Sequence, residues 1–163
     1  MKGYLANGLF GLGDRMLNTL IASEVRMEIE GIELYVPQEN AAINDKNSYA
    51  DSITIAKADM DRLRESDFLI AVIDGVEIDS GVAAEIGAFS MMYKPIFALY
   101  SDVRQQGRDN KNKIQALIED PRENQFMYRN LFVVGLIKET EGGIYSTVED
   151  LIEAIKRYNL VNI

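Results

Sequence analysis

A chain of 163 residues, 47% of them hydrophobic and with a net charge of −9, has room for one domain with a substantial core, which excludes intrinsic disorder. It contains no cysteine and no histidine, which excludes disulfides, thiolate chemistry, serine–histidine triads and nearly every catalytic zinc site. With 17 basic residues against 26 acidic ones and no basic cluster, nucleic acid and anionic membranes are disfavoured as partners, so any catalysis falls to carboxylates.

Met1 to Asn7 holds too short an apolar run for a signal peptide. No stretch approaches the roughly 18 to 20 apolar residues of a membrane span, so a cytoplasmic location is expected. Gly3 to Ala6 is a short apolar run closed by Asn7, and Gly8, Gly11 and Gly13 punctuate the next stretch of chain. From Asp14, residues Met16, Leu17, Leu20, Ile21 and Val25 recur with helical spacing until Gly31. Ile32 to Val36 reads as a strand closed by Pro37, and a polar loop continues through Asn47. A helix is predicted near Ser48 to Glu65, with Ile53, Ala56, Met60 and Leu63 on one face. Between Asp67 and Asp74 the chain is continuously apolar, the pattern of a strand buried on both faces of a parallel sheet.

A third helix is predicted from about Gly81 to Tyr93, and a strand from Pro95 to Tyr100. Residues 101 to 129 are polar and irregular, with a short helix near Lys113 to Glu119. Leu131 to Ile137 is a fifth apolar run, read as a strand with Asn130 at its head. Ser146-Thr-Val-Glu149 reads as a capping box opening a helix to about Asn159. This alternation predicts one domain over 1–163: a flavodoxin-like, doubly wound sheet of about five mainly parallel strands flanked by helices. Such folds bind ligands beyond the carboxyl ends of the strands, beside a topological switch point.

Candidate residues therefore sit just after the strands. Ala6 and Asn7 enter a glycine-punctuated segment that reads either as a ligand loop or as a plain strand-to-helix turn; it is no nucleotide fingerprint. Asp79 or Ser80 can cap the third helix, which Gly81 opens. Glu85 projects beside Val82, Phe89 and Met92, and a carboxylate on an apolar helical face is costly to bury without a partner or a purpose. One turn into the helix, the dipole favours its ionised form. Such a group fits a nucleophile; a salt-bridged or rim glutamate fits it too. Asp59 likewise flanks a buried face, between Ala56 and Leu63, and also reads as an ordinary surface carboxylate.

As a spaced set these residues resemble the nucleoside 2-deoxyribosyltransferase family. The resemblance runs over residues 1 to 137. It is carried by Tyr4-Leu-Ala, by Tyr35-Val36-Pro37-x-x-Asn40, by Asp59, Asp67 and Asp79-x-Gly81-x-x-x-Glu85-x-Gly87, and by Asn130-Leu131-x-x-x-Gly135. It implies transfer of a 2-deoxyribosyl group from a 2′-deoxynucleoside to a free nucleobase, with retention, in nucleotide salvage. By resemblance Glu85 is the nucleophile, Tyr4 orients it, and Asp59 moves the proton on the base. Asp79 accepts the sugar 5′-hydroxyl, assisted by Asn130 of a neighbouring subunit. No metal or organic cofactor is implied, and a homo-oligomer is expected, a dimer or trimer of dimers. Phe126, Met127, Tyr128 and Arg129, before Asn130, are residue types enriched at interfaces. Glu85 is expected ionised and Asp59 partly protonated when base is bound. The alternatives are an N-glycoside hydrolase of 2′-deoxynucleosides or their 5′-monophosphates, and a non-catalytic nucleoside-binding domain. Hydrolases of the monophosphates tend to carry Ser where Asp79 stands.

Overall fold

The computed structural model describes residues 1–41, 49–126 and 129–161. The expected helix start at Ser48 and the interface candidates Met127 and Tyr128 lie outside them. Five parallel strands form one sheet: β1 (Lys2–Ala6), β2 (Glu33–Tyr35), β3 (Phe68–Val72), β4 (Ile96–Leu99) and β5 (Gly143–Tyr145), in the order β2-β1-β3-β4-β5. Six helices are described: α1 (Leu12–Glu28), α2 (Ser52–Glu65), α3 (Ser80–Ser90), α4 (Lys111–Glu119), α5 (Leu131–Lys138) and α6 (Val148–Val161).

Side chains alternate across the sheet and divide the core in two. Leu5, Phe68, Ile70, Val72, Phe97 and Leu99 pack with α1 and α6. Tyr4, Ala6, Leu69, Ala71, Ile96 and Ala98 face α2, α3 and α5. All five residues of β3 are buried, which is why that segment carries no polar alternation. The strand order reverses direction between β1 and β3, so the crevice that accepts ligands opens at their carboxyl ends.

Two expectations fail here. Leu131 to Ile137 is helix α5, with Val133 and Ile137 buried one turn apart and Leu131 and Phe132 exposed. A run of seven apolar residues fits a buried strand and a buried helix equally, and the Asn130 side chain decides it. Its Oδ1 accepts from the amides of Phe132 (3.0 Å) and Val133 (3.3 Å), which caps a helix. The fifth strand is instead Gly143–Tyr145, three half-buried residues too short to show a pattern. The cap of the last helix also falls one residue later than expected: Thr147 Oγ1 accepts from the Asp150 amide at 3.1 Å.

Residues 101 to 126 are more regular than their polarity suggested. They contain α4 and two short 3-10 turns, Val103–Gln105 and Pro121–Glu123. Lys113 pins this excursion, donating to the carbonyls of Arg104 (2.6 Å) and Gln106 (2.8 Å) and lying 4.0 Å over the Phe126 ring.

Candidate active site

Tyr4 lies in the middle of β1 with its side chain on the α3 face, and parallel register sets it beside Tyr35 of β2. The two rings meet at 5.3 Å, tilted by 40°. Tyr35 is held in turn by Asn40, which donates to its hydroxyl at 3.0 Å, and by the Arg62 guanidinium 5.2 Å from its ring centroid. Tyr4 is fully buried, and its hydroxyl donates to Glu85 Oε1 at 2.5 Å. Glu85 reaches it because α3 buries Val82, Ile86 and Phe89 against the sheet, which turns the residue between them inward.

Burial, the first cause, together with the negative charges of Asp59 and Asp79, pushes the Glu85 carboxyl up to about 7, against the lowering effect of the Tyr4 hydrogen bond. Against the expectation of an ionised Glu85, burial favours its neutral form. Burial also raises the half-buried Asp59, in the direction expected. Burial, reinforced by the Glu85 and Asp59 charges, drives the Tyr4 phenol far above its ordinary range, so Tyr4 remains a proton donor.

Asp79 is the cap of α3. Its Oδ1 accepts from the amides of Gly81 (2.8 Å) and Val82 (3.1 Å), while Oδ2 accepts no bond from the described residues. Capping thus fixes the orientation of an exposed carboxylate one turn and a half before Glu85. Ala6 closes β1 as a buried wall, paired with Ala71 of β3. Asn7 is committed elsewhere: its Nδ2 donates to Asn18 Oδ1 at 2.8 Å. Asp67 leaves the acidic series altogether. It sits at the amino end of β3, where its Oδ2 accepts from the Lys2 amide at 2.7 Å. Five residues of strand, roughly 16 Å at ~3.3 Å each, separate it from the ligand end.

Two further residues shape the site: Asn18, to which the sequence assigns no role, and Arg129, which it places only among residue types enriched at interfaces. Asn18, only 2% exposed on α1, donates to the Gly8 carbonyl (2.9 Å) and to Gln38 Oε1 (3.0 Å), fastening the loops after β1 and β2 together. Its signal was present, since an asparagine shares the face of Ile21, Ala22 and Val25. Arg129, 7% exposed, donates from Nη2 to the Gly75 carbonyl at 2.7 Å, and nothing in its local sequence announced that partner.

The chain belongs to the nucleoside 2-deoxyribosyltransferase family, whose profile matches residues 4–142. That makes it a glycosyl-transferring or glycosidase enzyme with nucleoside and nucleobase substrates. A conserved protein of Enterococcus faecalis V583 shares 47% identity and a TM-score of 0.90, covering 97% of this chain and 98% of that one. The 2-deoxyribosyltransferase of Bacillus psychrosaccharolyticus shares the fold at 19% identity and a TM-score of 0.64, over 93% of this chain and 90% of that one. So does a CMP N-glycosidase of Clostridium botulinum, at 19% identity and a TM-score of 0.52, over 97% and 99% respectively. No curated protein matches the chain. No helix among the described residues is long and apolar enough to cross a membrane.

Proposed function

We propose that this protein transfers a 2-deoxyribosyl group between nucleobases, with retention, through a covalent ester on Glu85. The observation that carries the reading is the 2.5 Å bond from the fully buried Tyr4 to the half-buried Glu85. A carboxylate with one oxygen held by a buried phenol presents the other oxygen to a ligand in a fixed direction. In the first step a Glu85 oxygen bonds to the anomeric carbon and the carbon–nitrogen bond breaks. The electron pair stays on the base nitrogen, which Asp59 protonates as its raised pKa favours. In the second step the incoming base nitrogen bonds to the same carbon, the ester breaks, the Glu85 carboxylate returns, and Asp59 recovers a proton. Two inversions give net retention.

Asp79 Oδ2 is the acceptor for the sugar 5′-hydroxyl in this reading, and Gly81 lets the helix start close beside it. A 5′-phosphate is disfavoured there, because two negative groups would meet at short range. Salvage of nucleobases in the cytoplasm is the role such chemistry serves. A homo-oligomer, dimer or trimer of dimers, completes the site with Asn130 of a neighbouring subunit. Supporting this, Leu131 is 71% and Phe132 74% exposed beside Asn130, with Val76 81% exposed across from them.

The test is chromatography of deoxyinosine and free adenine incubated with the protein, scoring deoxyadenosine, hypoxanthine and free deoxyribose separately. Deoxyadenosine is expected. Free deoxyribose with no deoxyadenosine would make the protein an N-glycoside hydrolase, and stoichiometric binding with no base release would make it a nucleoside-binding domain.

A further inference from the structure

We infer that Arg129 is a positioning residue that sets the 75–79 loop and thereby the enzyme's selectivity for the 5′ end of the sugar. The inference rests on the proposal that Asp79 receives the 5′-hydroxyl.

An arginine side chain that is only 5% exposed must be partnered to be tolerated, and the identity of its partners shows what it does. Nη2 donates to the Gly75 carbonyl at 2.7 Å and lies 4.0 Å from Asp102 Oδ2. The guanidinium stacks over the Tyr100 ring at 4.4 Å. These partners are themselves held in place. Arg104 donates from Nε and Nη2 to Asp102 at 2.9 and 2.6 Å, and Gln105 donates to the Tyr100 hydroxyl at 3.0 Å. The fork of Arg129 therefore bears on a fixed platform just after β4 and holds a backbone carbonyl just after β3.

That carbonyl begins the loop that matters. Gly75 has φ +94°, a conformation that L side chains rarely adopt, so the chain reverses there. The residue before it is tied to the same platform: Asp74 accepts from the Ser101 amide (2.7 Å) and hydroxyl (2.6 Å). At the far end Asp79 caps α3. The intervening Val76 and Glu77 are exposed, and only the half-buried Ile78 packs against the core between them and Asp79, so the direction of Asp79 Oδ2 depends on how the start of the loop is held as well as on its cap. Arg129 supplies one anchor, and its neighbour Asn130 caps α5 across a cleft of about 310 Å³ lined by Val76, Ile78 and Val133.

The experiment compares the wild type with Arg129→Met and Arg129→Lys on 2′-deoxyinosine and its 2′,5′-dideoxy analogue, adenine being the acceptor. The wild type should favour deoxyinosine in kcat/KM by about 10-fold or more, the size of one hydrogen bond to a carboxylate. In Arg129→Met that preference should collapse to within about threefold, by loss on deoxyinosine rather than on the analogue. Arg129→Lys, which can still reach the Gly75 carbonyl, should recover part of it. Amide exchange at Gly81 and Val82 should accelerate about 10-fold in Arg129→Met while β1 amides keep their rates. A folded Arg129→Met with the wild-type preference and wild-type exchange would overturn the inference; if that variant fails to fold, the same result in Arg129→Lys would do so. A wild type that uses both substrates equally contradicts the Asp79 assignment instead, and the exchange rates then decide whether Arg129 holds the loop.

Discussion

A single hydrogen bond gives the site its character. Tyr4 holds Glu85 in a place that burial makes unfavourable for charge, and the carboxyl settles at about 7. If Glu85 acts as the ionised nucleophile, kcat/KM should rise with pH through an apparent pKa near 7. Tyr4→Phe removes the hydrogen bond that favours the charged form, so its acid limb should move to higher pH as its rate falls. An unmoved limb would separate Tyr4 from the titration. The same shift has a consequence for stability. Because the folded-state value is raised from 4.5, the contribution is complete below pH 4.5 and lost as pH rises through 7, amounting to about 3 kcal/mol. Glu85→Gln should therefore gain stability relative to wild type between about pH 4.5 and pH 8 in urea titrations; a constant difference would refute the assignment. The residue itself was legible, because Val82 and Phe89 flank it in projection. Its protonation was not, because the burial that raises its pKa depends on a wall built from β1, far away in the chain.

At the scale of elements, short polar side chains at helix starts do double duty. Asp79 and Asn130 each cap a helix with one oxygen and hold a second polar atom clear of that cap. Asp79→Ser should keep most of the cap, whereas Asp79→Ala should cost about 1 kcal/mol of unfolding free energy. Both should weaken discrimination against a 5′-monophosphate, measured as the ratio of kcat/KM values; unchanged discrimination would remove Asp79 from sugar recognition. β5 depends on a different local feature. A Cβ on Gly142 would stand 1.9 Å from the Ile96 carbonyl oxygen, so Gly142→Ala should displace the edge strand and lower the melting temperature by several degrees. The long elements could be read from period and run length, as β3 and α1 show. The misread segment, Leu131 to Ile137, was apolar throughout. Its helical character lies in the Asn130 cap, and in the burial of Val133 and Ile137 one turn apart while Leu131 and Phe132 stay exposed.

For the whole molecule, the order β2-β1-β3-β4-β5 brings Tyr4, Glu85 and the Asp79 cap to one end of the sheet and leaves Asp67 at the other. The alternation of strands and helices foretold that end; the inward ties of Asn18 and Arg129 depend on contacts between distant segments and could not be foretold. Should Asn130 act in a neighbour's site, Glu85→Ala and Asn130→Ala, each inactive alone, should regain part of the activity when mixed after dissociation and reassembly. Proven exchange of subunits without recovery would confine Asn130 to its own chain. In the proposed mechanism Glu85 is the residue that carries the sugar. Incubation with a slow 2-fluoro-substituted nucleoside and no acceptor, with peptide mass spectrometry of the product, measures this. One added fluorinated sugar is expected on the peptide containing Glu85, and none in Glu85→Gln. Turnover without any adduct, or an adduct on another residue, would contradict it.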